Sequence, residues 1–152
     1  MKDSRKGIIL AGGTGSRLMP ITGLLSKQVI PVYDKPMIYY PLSVLMLAGI
    51  SEILVISSPK HLPQVRETIL RLGNLGVRFE FIIQQSPDGI AQALILGEDF
   101  LDGSPSALIL GDNIFFGHGF NDILQRADQD GSSAQIFVHQ VNKPEQYGVI
   151  EL

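Results

Sequence analysis

Short apolar runs rich in β-branched residues alternate with longer helix-like stretches along the whole chain, and this alternation restricts the fold more than any other feature. Gly7–Leu10 (GIIL) is bounded by charge before and glycine after, as a strand buried on both faces would be. A helix is predicted over Pro41–Gly49, with Pro41 in its first turn, Gly49 past its end, and Leu42, Leu45 and Met46 on one face. Ile53–Ser57 reads as the next strand. His61–Leu72 follows as a helix, with Leu62, Val65, Ile69 and Leu72 at helical spacing before Gly73. Val77–Ile83 is predicted as a strand, and Ile90–Phe100 as one helix, apolar nearly all round and so mostly buried. Ala107–Leu110 (strand), Phe120–Asp128 (helix) and Ala134–His139 (strand) complete the pattern. Such alternation predicts an α/β fold, a parallel sheet with helices on both faces. Ligands of these sheets bind beyond the carboxyl ends of the strands, which directs attention to the loops after Leu10, Ile83 and Leu110.

Composition narrows the class of partner. The 152 residues suit one domain, and a formal net charge of -3 with scattered Lys and Arg argues against nucleic acid. There is no cysteine, so disulfides and thiolate metal sites are excluded, in keeping with a cytoplasmic protein. The apolar run after the N-terminal charges is too short for a secretory leader, and no stretch approaches the ~20 residues of a membrane span.

The loop after the first strand reads Ala11-Gly12-Gly13-Thr14-Gly15-Ser16-Arg17-Leu18. Its glycines allow close backbone approach, and successive N–H groups can cradle phosphate. Arg17 adds a planar fork suited to phosphate oxygens. The dinucleotide fingerprint fails because Leu18 stands at its third glycine position, and the P-loop fails because Ser16-Arg17 follows Gly15. On the glycines alone, a plain connecting turn remains open. Lys27, taken alone, reads as a solvated surface lysine; beside Arg17 it can be a second positive charge on a polyphosphate.

After the third strand, Gln84 offers donor and acceptor together, matching the O4/N3–H edge of thymine or uracil, and Gly89 lets a base pack against backbone. A Pro-Asp-Gly turn with solvated glutamines is the plainer reading. Asp112 follows Leu110-Gly111 at the end of the fourth strand, well placed for Mg²⁺ or, more simply, for capping a turn. The three histidines form no ligand cluster, and no Ser/His/Asp relay is visible.

Taken in order, Gly12-Gly13-Thr14-Gly15-Ser16-Arg17-Leu18, Pro20, Thr22, Ser26-Lys27-Gln28, Asp34 to Leu42, Pro87-Asp88-Gly89, Leu110-Gly111-Asp112-Asn113 and Tyr147-Gly148-Val149 resemble the signature of sugar-phosphate nucleotidyltransferases, nearest to the glucose-1-phosphate thymidylyltransferase branch. The resemblance runs from Gly7 through essentially the whole chain. Ser16 departs from the family's usual threonine but keeps a hydroxyl.

The resemblance implies a three-layer α/β/α Rossmann-like nucleotidyltransferase sheet, mostly parallel, with residues 1–152 as its N-terminal nucleotide-binding part. It implies transfer from dTTP to α-D-glucose 1-phosphate, giving dTDP-glucose and pyrophosphate, with Mg²⁺ as cofactor. It assigns catalysis to Arg17, Lys27 and Asp112, and nucleotide binding to Leu10, Gly12, Gly13, Thr14, Gly15, Arg17, Lys27, Gln84, Gly89 and Asp112. Leu110, Asn113 and Gly148 face the sugar, Asp112 holds the metal, and the loop around His118 borders a regulatory nucleotide-sugar site in some relatives. A homo-oligomer is expected at full length. Uridylyl- or adenylyltransfer, or nucleotide binding without turnover, stay open. Family members run to about twice this length, and Tyr147–Leu152 reads as a strand under way. The expectation is therefore a truncated chain that binds nucleotide but lacks the family's sugar-holding Glu-Lys pair and second metal-binding aspartate.

Overall fold

The computed structural model describes residues 5–13, 15–129, 134–146 and 148–150. Its regular elements are strand β1 (Lys6–Leu10), the short strands β2 (Pro31–Val32) and β3 (Lys35–Pro36), helix α1 (Tyr39–Leu47), strand β4 (Glu52–Ser57), helix α2 (Leu62–Leu70), strand β5 (Arg78–Ile83), helices α3 (Gln92–Leu96) and α4 (Glu98–Leu101), strand β6 (Ser106–Leu110) and helix α5 (Phe120–Gln129). Three 3₁₀ turns lie between β1 and β2, at Ser16–Leu18, Ile21–Gly23 and Lys27–Val29.

The four longer strands form one parallel sheet in the order β5-β4-β1-β6. The chain leaves β1 in one direction to build β4 and β5, then returns to β1's other side for β6. Right-handed crossovers then place the helices of the outward path and of the return path on opposite faces. Two cores result, one on each face. Ile9, Ile53, Val55 and Ile109 pack with Leu42 and Leu45 of α1, Val65 and Ile69 of α2, and Leu124 of α5. Ile8, Leu54 and Ile56 point the other way and pack with Ala93 of α3 and Phe100 of α4. The alternation of β1 and β4 side chains between the two cores is the period of a strand covered on both faces.

β2 and β3 form a small antiparallel pair turning at Tyr33, whose φ is 61°. It is tied to α1 by Tyr40, whose hydroxyl donates to Val32 O at 2.6 Å.

Two expectations are corrected. The single helix over Ile90–Phe100 is instead two short ones, broken at Gly97. A Cβ there would lie 3.1 Å from Ile8 Cδ1 and Leu54 Cδ2, so the backbone itself rests on the sheet at this point. The segment is also not mostly buried: Ala93 and Phe100 face the sheet, while Ile90, Leu94 and Ile95 are exposed. A helix lying on one face of a sheet can bury only one side, whatever the composition of its other. The strand over Ala134–His139 is not formed either. Residues 134–140 carry no regular structure, and Ile136, Phe137 and Val138 are exposed. A β-prone apolar run makes a strand only where a neighbouring strand supplies hydrogen-bond partners. Residues 148–150 carry no strand, and Tyr147, Glu151 and Leu152 lie outside the described residues.

Candidate functional site

The path of the sheet reverses between β1 and β6, and the region beyond their carboxyl ends at such a reversal is the usual ligand position of an open α/β sheet. The ends are pinned first. Ala11 N donates to Ile56 O (2.7 Å), Ser57 Oγ donates to Ala11 O (2.9 Å), and Gly111 N donates to Leu10 O (2.9 Å). Beyond those anchors lies a cleft of about 240 Å³, lined by Leu10, Gly12, Gly13, Gln28, Gln84, Pro87, Gly89, Ile90, Leu110 and Asp112. Seven of these residues were expected from the sequence, and they come from all three of the loops singled out there.

Gln84 is 4 % exposed, and its N–H donates to Ser57 O at 2.8 Å, carrying β5 one residue further toward the cleft. Its side chain lies over Gly12 so closely that a Cβ on Gly12 would overlap Gln84 Oε1. Gly12 is thus a steric requirement of the floor.

The glycine loop is held from below by Thr22, a buried residue to which the sequence assigned no role. Its hydroxyl donates to Gly15 O at 2.8 Å, and its Cγ2 would lie 2.7 Å from a Cβ on Gly15. Gly15 has φ 63°, a left-handed conformation that glycine adopts without strain.

Lys27 and Asp112 are 85 residues apart in sequence and meet at 2.7 Å, Nζ to Oδ2, each side chain about one-third exposed. The two charged groups expected on phosphate and on metal therefore satisfy each other at the cleft rim. Such a pair, open to water, contributes only about 0–1 kcal/mol to stability, so exchanging it for ligand contacts costs little. Ser26 and Gln28 flank Lys27 and are both buried, with Ser26 Oγ donating to Gln28 Oε1 at 2.7 Å. Gln28 lines the cleft and was missed as a site residue, since an uncharged side chain beside a lysine gives no spacing signal.

Other expected residues stand apart. Arg17 is exposed, lies outside the cleft lining, and makes no hydrogen bond or ion pair among the described residues. Asn113 is outside the lining too; its N–H donates to Leu110 O at 3.1 Å, closing the turn after β6. Gly148 is exposed and outside the lining, and Thr14 lies outside the described residues. His118 and His139 are exposed.

Among the described residues no three acidic or imidazole groups gather as a metal cage. The single accessible carboxylate of Asp112 nevertheless fits Mg²⁺, which keeps several waters and usually takes one or two carboxylates together with substrate phosphates.

The description "Nucleotidyl transferase" belongs to the family whose model matches residues 6–152. A glucose-1-phosphate thymidylyltransferase of Xanthomonas campestris pv. campestris strain B100 is 58% identical over 148 residues, covering 97% of this chain and 50% of the relative. One from Neisseria meningitidis serogroup A is 51% identical over 146 residues, 96% of this chain and 51% of the relative. Among solved structures, a Bacillus anthracis protein assigned as a glucose-1-phosphate thymidylyltransferase, in complex with sucrose, superposes with TM-score 0.74 at 40% identity. It is matched over 83% of this chain and 51% of its own. A UDP-glucose pyrophosphorylase complexed with UDP-glucose superposes with TM-score 0.69 at 25% identity, over 83% and 52%. The chain spans about half the length of the curated relatives it matches. A parallel sheet that reverses between β1 and β6, a cleft at that reversal and a match over residues 6–152 agree: the chain belongs to the nucleotidyl transferase family.

Proposed function

We propose that this chain is the nucleotide-binding part of an enzyme that transfers a thymidylyl group from dTTP to α-D-glucose 1-phosphate, releasing dTDP-glucose and pyrophosphate. The observation that carries the reading is the convergence of Gly12, Gly13, Gln84 and Asp112 on one cleft, with Lys27 paired to Asp112 at its rim. The relatives' names supply the choice of base and sugar.

In this reading Gln84 reads the O4/N3–H edge of the base, Gly89 backs its ring, and Leu10, Gly12, Gly13, Thr14 and Gly15 offer backbone to the phosphates. Asp112 would hold Mg²⁺, which supplies positive charge to the triphosphate. With Asp112 engaged there, Lys27 Nζ is left to neutralise an α-phosphate oxygen. A phosphate oxygen of the sugar phosphate forms the new bond to the α-phosphorus; the α–β bridging bond breaks, and its electron pair leaves with pyrophosphate. No protein nucleophile is needed, so the residues act by positioning and charge neutralisation. Arg17 would reach the leaving pyrophosphate from its exposed turn, and Leu110, Asn113 and Gly148 would face the sugar. Cytoplasmic dTDP-sugar synthesis and homo-oligomeric assembly belong to the same proposal.

Calorimetric titration with dTTP, UTP and ATP tests the base-reading role. Binding of dTTP and UTP well above ATP is expected, with Gln84→Ala weakening dTTP while leaving pyrophosphate binding unchanged. Equal affinity for ATP and dTTP would remove Gln84 from base recognition.

A further inference from the structure

The hydrogen bonds behind Gln84 decide which of its two amide atoms can face a base. Gln92, in the first turn of α3, accepts from Asp88 N with its Oε1 (3.1 Å) and donates from its Nε2 to Asp88 Oδ2 (2.9 Å). Ser86 Oγ donates to the same Oδ2 at 2.7 Å. A backbone N–H can only donate, and a carboxylate can only accept. Gln92 turned over would set its NH₂ against an N–H and its carbonyl against a carboxylate, so its amide has one usable orientation. Its Oε1 then also meets Gln84, which must answer with its own NH₂: Gln84 Nε2 donates to Gln92 Oε1 at 2.6 Å. Gln84 Oε1 is thereby turned to the opposite side, over Gly12, where it has no hydrogen-bond donor among the described residues.

We propose that Asp88 and Gln92 form a relay that locks the amide of Gln84 with its carbonyl oxygen toward the base site, making Gln92 a specificity-determining positioning residue. The proposal rests on the reading of Gln84 as the base contact. A locked carbonyl requires a donor on the ligand, and thymine and uracil supply one at N3–H, with O4 as acceptor for the second hydrogen of Gln84 Nε2. Cytosine presents the inverse pattern, an acceptor at N3 beside an amine. A freely turning glutamine would serve either pattern; the relay is what withholds the second. Thymine and uracil are not separated by it.

The test is calorimetric binding of dTTP, dUTP, dCTP and pyrophosphate to the parent protein and to Gln84→Ala, Gln92→Leu, Gln92→Glu and the double variant Gln92→Glu/Asp88→Asn. Gln92→Leu is expected to lower the dTTP-to-dCTP preference by about tenfold, the scale of one hydrogen bond's sense. The dTTP-to-dUTP ratio and pyrophosphate binding should stay within twofold of the parent. Gln92→Glu sets a carboxylate against Asp88 and should lose the preference as well. Adding Asp88→Asn exchanges amide and acid, restores both pairings, and should restore the preference. A Gln92→Leu protein that keeps the parent ratio while Gln84→Ala loses it would overturn the relay and leave Gln84's role standing. Retention of the ratio by both would overturn the two together. Equal weakening of all three nucleotides by Gln92→Leu would reduce Gln92 to a structural residue and overturn the relay.

Discussion

His61 sits at the start of α2, 6 % exposed, and neither of its ring nitrogens has a hydrogen-bond partner among the described residues. Burial, with the nearby positive charge of Lys60, holds its imidazole below its usual value of 6.5. The unfolded chain takes up a proton near pH 6.5 that the folded chain refuses. Stability is therefore full above that pH and falls as the pH drops through 6.5 toward the lowered folded value. His61→Leu removes this dependence and two unpartnered nitrogens while nearly conserving volume. The expected outcome is a smaller fall in melting temperature between pH 7.5 and pH 5.5 than in the parent, read by calorimetry at both. An unchanged fall would show that His61 does not titrate against folding. The sequence placed His61 on a helix but could not show that it is buried without partners, because burial depends on what α2 lies against.

At the scale of elements, the segment carrying Lys27 into the cleft is fastened to α2. Gln64 accepts from Ser26 N at 2.8 Å and donates to Leu24 O at 3.1 Å, so one amide side chain pairs with the backbone as a neighbouring strand would. Lys60 adds a bond to Gly23 O at 3.0 Å. Gln64→Leu should lower stability by about 1–3 kcal/mol, the net worth of two hydrogen bonds, and weaken dTTP binding about tenfold through a looser Lys27. Urea unfolding and titration check the two effects separately; loss of stability with full affinity would show that the fastening does not position Lys27. The buried strands β1 and β4 were legible because parallel strands covered on both faces read as unbroken apolar runs, and the half-exposed edge strands β5 and β6 from their β-prone residues. The break at Gly97 was not, since periodicity does not report where the backbone touches the sheet. Gly12, Gly13 and Asp112 were legible from their places just past strand ends. Thr22, Gln28, Gln64 and Gln92 were not, because uncharged polar side chains reveal a role only through the partners that folding brings to them.

For the whole molecule, the order β5-β4-β1-β6 explains how residues as distant as Gly12, Gln84 and Asp112 line one cleft. Each ends or follows a strand of the same parallel sheet, and the sheet aligns those ends. Strand–helix alternation announced that arrangement from the sequence; the strand order did not follow from it, since apolar runs carry no label for their neighbours. The central claim is that this cleft serves thymidylyl transfer. Its most direct test is pyrophosphate release by the protein from dTTP and glucose 1-phosphate with Mg²⁺, alongside Asp112→Asn. The account predicts release that requires both substrates and falls by at least about 10² in Asp112→Asn with little change in melting temperature, because a lost charge contact at the transition state costs several kcal/mol. Turnover within a few-fold of the parent in Asp112→Asn, or no release by the parent from the two substrates together, would contradict it.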